Sequence, residues 1–173
     1  MTEGVKTEVQ YIEGLVQYLK STGITVHVPQ TCGVGRDPLG VLREAEEIRD
    51  QAISIDPFDD VWIVVDVDQH TTLEECLREA RRGGVSVVVT NPCFELWLLW
   101  HFEFSKNKDH DADSLAALLA KHGHFGKSVS PDFPFASYVN ACECAKRFPV
   151  THGSVGKVPS SAMPHLIEVF IAN

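Results

Sequence analysis

The sequence predicts an α/β fold in which a parallel sheet is flanked by helices and the last third of the chain is helical. Three observations predict it. Val61–Val65 and Val85–Val89 are short, continuous apolar runs of the kind that strands buried on both faces require. Each is followed by a segment with helical spacing, the alternation that builds parallel sheets. Past Phe104 only helical patterns remain. At 173 residues the chain suits one compact domain, residues 1–173, with an α/β core to about residue 104 and a helical extension over about 105–173.

The elements follow in order. Thr7–Ser21 places Val9, Ile12, Leu15, Val16 and Leu19 on one face, which predicts an amphipathic helix stopped by Thr22-Gly23. Ile24–Val28 alternates with β-branched residues and reads as a strand, and Thr31–Pro38 as a polar, Gly-rich loop. Leu39–Ser54 returns to helical spacing through Leu42, Ala45, Ile48 and Ala52. Asp56-Pro57 breaks it, and the Val61–Val65 strand ends at Asp66. Thr72–Arg82 is helical, with Thr71 or Thr72 as its N-cap and Glu74 and Glu75 in its first turn. After Gly83-Gly84 comes Val85–Val89, and then Pro92 opens an apolar helix to about Phe102. Ser114–Lys121, Pro134–Phe148 and Ala162–Ala172 complete the helices. The first helix begins almost at Met1, where doubly wound folds feed it from a central strand. Either the fold starts with a helix or that strand lies upstream of Met1.

Composition narrows the function classes. Hydrophobic residues make up 44% of the chain, and no apolar run reaches the roughly 20 residues that a membrane span needs. Met1 leads straight into a polar segment, which predicts no signal peptide. Five scattered cysteines, none in a C-x-x-C pair, point to a reducing cytosol without structural zinc. The net charge of −9 argues against a broad basic surface for nucleic acid. Two explanations for a nucleic-acid protein remain: metal ions supply the positive charge at a phosphate, or a partner protein carries the binding surface.

Asp66-Val67-Asp68 falls at the carboxyl end of a central strand, the edge where open parallel sheets bind ligands. Two hard carboxylates close together there suit Mg²⁺ (or Mn²⁺), which keeps its waters for a phosphate. The same residues also make an ordinary polar turn with an N-cap. Glu3 and Glu8 flank the start of the first helix, where they face the same crevice or serve as a solvated terminus favouring the helix dipole. Glu95 sits in the first turn of an otherwise apolar helix. A carboxylate buried there costs on the order of several kcal/mol unless it is paired or metal-bound. Asn91 stands at the preceding strand end. His70 reads equally as a general base or phosphate contact and as a surface histidine, and His101 as a structural one. Gly123–Ser128 fails as a P-loop because it is two residues short and lacks a preceding strand. Gly33-Val34-Gly35-Arg36 reads either as a phosphate-steering loop or as a plain flexible one.

T-E-G-V-K-T-E-V-Q-Y (2–11), D-V-D-Q-H (66–70) and N-P-C-F-E-L-W-L-L-W-H-F (91–102) resemble the signature blocks of the RloB-like family. V-P-S-S-A-M-P-H-L-I (158–167) resembles its closing block. The resemblance covers nearly the whole chain in the right order. It implies a Toprim-like fold, similarity to the nuclease domains of overcoming-lysogenization-defect proteins, and action beside ABC-type ATPases in bacterial anti-phage defence. It further implies Glu3, Asp66 and Asp68 as Toprim acids, with Glu8 and Glu95 completing a one- or two-metal site. Lys127 reads as a solvated loop lysine or, because related nucleases set a lysine at the scissile phosphate, as a contact there. The departure is at the start, because such relatives place a hydrophobic strand before the E-G.

Two other readings compete. A haloacid-dehalogenase-type phosphatase would share the D-x-D and a strand ending in Thr, as in Val87–Thr90. However, the threonine expected two residues past the second Asp falls at His70, and no acidic pair follows a later strand. A non-catalytic module regulating a partner ATPase would suit the net charge and the lack of a basic patch.

Overall fold

Two apolar runs, Trp62–Asp66 (β1) and Ser86–Asn91 (β2), pair in parallel from Trp62 opposite Ser86 to Asp66 opposite Thr90. The computed structural model describes residues 1–4, 6–26, 30–52, 57–67, 71–124, 126 and 128–171. The rest of the architecture is the helices Thr7–Ser21 (α1), Pro38–Ala52 (α2), Leu73–Gly83 (α3), Phe94–Leu99 (α4), Ala112–Lys121 (α5), Tyr138–Ala145 (α6) and Met163–Phe170 (α7). A two-residue strand, Ser160–Ser161 (β3), pairs with Thr90 and Asn91 of β2.

Side chains alternate across β1 and β2, so each strand serves two cores. Val64 and Val88 join a large aromatic-rich cluster with α1 and the helices from α4 onward. Ile63, Val65, Val87 and Val89 join a smaller aliphatic cluster with Leu39, Leu42 and Ala45 of α2 and Leu73, Cys76 and Ala80 of α3. In the first cluster Tyr11 is fully enclosed, with the edges of Phe94 and Trp97 against its ring at 5.6 and 6.3 Å. Its hydroxyl donates to His101 Nε2 at 3.1 Å, and His101 Nδ1–H donates to Trp97 O at 3.0 Å. Burial lowers the His101 pKa to about 4, so the imidazole is neutral.

Three expectations need correction. The sheet is mixed, because β3 is antiparallel to β2, and the region after Phe104 is therefore not purely helical. A pair of serines has no apolar pattern to betray a strand. Over Ile24–Val26 there is no strand but a single antiparallel bridge, Val26 to Ile171, and residues 27–29 lie outside the described residues. The apolar helix begins at Phe94 and its α-helical span ends at Leu99, continuing as turns through Phe102. α1 matches its predicted bounds, and α2, α3, β1 and β2 fall within two residues of theirs among the described residues.

The question left by the start of the chain has a specific answer. Thr2 bridges in parallel to Val64 on one side and to Gly33 on the other. Val64 N–H donates to Met1 O (2.9 Å), Glu3 N–H to Val64 O (3.0 Å), and Val34 N–H to Thr2 O (3.1 Å). Residues 1–3 therefore occupy the position of a sheet strand, in register with β1, before α1 begins. The same pairing uses the amides of Val34 and Gly35, the latter donating to Glu3 O at 2.9 Å. This corrects the phosphate-steering reading of that loop, since those two donors are spent on sheet contacts. Arg36 instead pairs with Glu44 at 3.3 Å on the surface.

Candidate functional site: a carboxylate cluster at the sheet edge

Asp66 ends β1 on the face shared with Val64, the face that α1 and α4 cover. That geometry brings Glu3, Glu8 and Glu95 towards it. Glu3, at the end of the 1–3 segment, accepts a hydrogen bond from the backbone N–H of Asp66 through Oε2 at 3.1 Å. Glu8, in the first turn of α1 and buried, accepts from Gly4 N–H through Oε1 at 3.2 Å. Gly4 must be glycine for this contact, because a Cβ there would collide with the Glu8 carboxylate. The Asp66 carboxylate accepts from Phe94 N–H at the start of α4, and Glu95 follows one residue later.

The four carboxylates act on one another. Burial pushes the Asp66 pKa well above the usual carboxylate range, and the charges of Glu8, Glu95 and Glu3 push it further. Glu8 is raised as well, first by burial and then by Glu95 and Glu3. Cys93, the N-cap of α4, joins them. It is 7% exposed, its thiol donates to the Glu95 carboxylate, and burial and that charge raise its pKa far above an ordinary thiol's. A set of hard oxygen donors that repel one another when ionised is what a divalent cation stabilises. Among the described residues no three His, Cys, Asp or Glu side chains already stand in ligand geometry. Asp68, His70 and Lys127 lie outside the described residues. The oxygen-donor chemistry of Glu3, Glu8, Asp66 and Glu95 is of the kind that suits Mg²⁺ or Mn²⁺.

Of the sequence-derived site residues, then, four converge at the carboxyl edge of β1, with their electrostatic coupling as the measure of that convergence. Asn91 has a structural task, its Nδ2 donating to Gly156 O at 2.8 Å and holding the loop before β3. Sequence reasoning passed over Cys93. Its signal was the spacing of two residues from Glu95 across a helix start, legible only once Asn91-Pro92 is known to precede a cap.

Two cavities among the described residues lie away from the cluster. One, of about 610 Å³, runs between α1 and the 129–136 segment. The other, of about 560 Å³, opens at the amino edge of the sheet among Met1, Ile12, Ile48, Trp62, Val64 and Phe170. Met1 presents its ammonium to Trp62 O, and burial lowers that group's pKa to about 6.

Comparison with known proteins gives one family. The model described as RloB-like protein matches residues 1–170. No curated protein and no solved structure matches.

Proposed function

The chain belongs to the RloB-like protein family, and from that premise we propose that it is a metal-dependent nuclease with a Toprim-like core. It hydrolyses phosphodiester bonds in RNA (tRNA among the candidates) or DNA, in anti-phage defence and together with an ABC-type ATPase. The observation that carries this reading is the convergence of Glu3, Glu8, Asp66 and Glu95 on one edge of the sheet, two of them with raised pKa values. Keeping mutually repelling carboxylates half-buried is costly, and a structural role would be served better by apolar residues.

In this reading Glu3, Glu8, Asp66 and Glu95, with Asp68 as a further ligand, would hold one or two divalent ions, which would supply charge neutralisation at the phosphate and an activated water. The protein's own residues do the rest. The Phe94 amide fixes the Asp66 carboxylate, the Asp66 amide fixes Glu3, and the Cys93 thiol orients Glu95. With a net charge of −9 the chain repels a polyanion, so binding of substrate depends on the metal and on the partner's surface. His70 and Lys127 are the candidates for contact with the scissile phosphate.

The test is cleavage of labelled RNA and DNA with Mg²⁺ and the partner ATPase present, comparing wild type with Asp66→Asn and Asp68→Asn. Both variants keep side-chain shape and lose the charge, so both should be inactive and remain folded. Full cleavage by Asp68→Asn, purified free of host nucleases, would exclude this mechanism. It would leave the non-catalytic module of the ATPase as the better account.

A further inference from the structure

α4 ends at Leu99, and the buried Trp100 that follows it is the root of a ladder of rings. Phe148 lies 6.3 Å from Trp100 with the planes at 10°, and Phe104 lies 6.1 Å from Phe148 at 16°. Rings this parallel at these separations are offset, so no neighbouring ring covers a whole face. The ladder ends at Phe104, which is 40% exposed and is the one exposed aromatic side chain among the described residues. Arg147, beside Phe148 in the chain, lays its guanidinium over the Phe104 ring, with Cζ 4.4 Å from the centroid.

Cations gather round that end. The run from Phe104 to Lys108 carries Lys106 and Lys108 and no acid. Trp100 Nε1–H holds this run to the ladder by donating to Ser105 O at 3.1 Å. Among the described residues Lys106, Lys108 and Arg147 have no ion pair, whereas Lys146 pairs with Glu143 at 2.6 Å. Of the neighbouring acids, Glu103 faces His122 at 3.6 Å and Asp111 caps α5, which leaves Asp109 as the opposing charge. In a chain of net charge −9, three unpaired cations around the one exposed aromatic ring reverse the sign locally. An aromatic face with a guanidinium plane over it and amines beside it matches an unpaired nucleobase and its flanking phosphates.

We propose that Phe104 and Arg147 form a stacking platform for an unpaired base of single-stranded nucleic acid, with Lys106 and Lys108 supplying charge to the adjacent phosphates. This rests on the nuclease reading, for which it names an unpaired strand as the substrate class. The flexible Arg147 side chain moves off the ring and covers the base from its other side, so the base lies between a phenyl ring and a guanidinium. The ladder beneath, rooted in the core at Trp100, keeps the Phe104 ring from turning with it. α4 joins the platform to the carboxylates, since Glu95 lies about 7.5 Å along the helix axis from Trp100.

The experiment uses the full chain in chelator, so that no metal-held phosphate contributes. The probe is a single-stranded DNA oligonucleotide carrying 2-aminopurine, with its duplex as the comparison. Wild type should bind the single strand with a Kd of roughly 10⁻⁴ M or tighter, quench the 2-aminopurine emission and bind the duplex more weakly. Phe104→Ala should lose about tenfold in single-strand affinity together with the quenching, and Phe104→Trp should keep both. Arg147→Lys, which keeps the charge and loses the plane, should lose about threefold. An unchanged affinity in Phe104→Ala would overturn the platform, as would wild type that binds the duplex as tightly as the single strand or binds no oligonucleotide. Each of these leaves the nuclease reading to its own test at Asp66 and Asp68. Full cleavage by Asp68→Asn would overturn that reading instead, without touching a binding measurement made in the absence of metal.

Discussion

The two edges of the sheet are set by the same three residues, and they carry opposite chemistry. At the carboxyl edge, Glu3 delivers a carboxylate to a cluster with Glu8, Asp66 and Glu95, a site crowded with like charge. At the amino edge, Met1 delivers a buried ammonium to the floor of a cleft of about 560 Å³ lined mostly by apolar side chains. The carboxyl edge has more charge than it can bury comfortably, and the amino edge has more apolar surface than it covers. Under the proposed function a cation would relieve the first, and the cleft at the second offers a place to test an added apolar segment.

The largest effect that separates the edges is functional. Asp66→Asn or Glu95→Gln should weaken Mn²⁺ binding by roughly a hundredfold or more, since each removes a charged donor where even supporting contacts contribute 10–100-fold. In metal-free buffer the same Asp66→Asn should leave the protein as stable as wild type or more so, by about 1 kcal/mol, because it removes a repelled carboxylate. Calorimetric titration and thermal melting read the two outcomes. A variant that loses stability in metal-free buffer would mean the carboxylate is structural.

At the amino edge the expected gain is in stability. Four or five Val- and Ile-rich residues added ahead of Met1 can continue the parallel pairing with β1 into the cleft. Burying two or three apolar side chains contributes about 3–9 kcal/mol before ordering costs, so a net rise of several degrees in Tm is expected. An unchanged midpoint would show that the cleft does not accept a strand. Metal affinity should change little, which keeps the two edges distinguishable.

The smallest effect is in pH dependence, and its sign differs between the edges. Glu8 and Asp66 have folded-state pKa values above those of the unfolded chain, so the folded protein binds more protons and loses stability as pH rises from about 4 through their folded values. The Met1 ammonium, lowered from 8.0 to about 6, has the opposite sign: the unfolded chain binds more protons between about pH 6 and 8, and stability rises across that window. Melting curves without metal should therefore fall from acid to neutral pH and flatten or recover towards pH 8. Saturating Mg²⁺ should remove the fall, and an N-terminal extension should remove the recovery. A fall that persists in saturating Mg²⁺ would mean that the cation does not sit among these carboxylates.

Much of this was legible in the residues. The stripe Ile12, Leu15, Val16 and Leu19 fixed α1, and the runs after Val61 and Val85 fixed two buried strands, because 3.6- and 2-residue periodicities are local properties. Glu95 announced itself as a charge in an apolar helix. β3 gave no such sign, since Ser160 and Ser161 are held by Thr90 and Asn91 rather than by any pattern of their own. Nor did the start of the chain. Met1, Thr2 and Glu3 have no strand signal, and their place in the sheet is imposed by Val64 and Gly33 from either side. By itself the sequence determined which segments are helical, which strands are buried and which acids are out of place. Only the tertiary structure decided that Glu3, Glu8, Asp66 and Glu95 meet, and that Cys93 stands beside them. Those relations depend on register and packing between distant segments, and no local pattern encodes them.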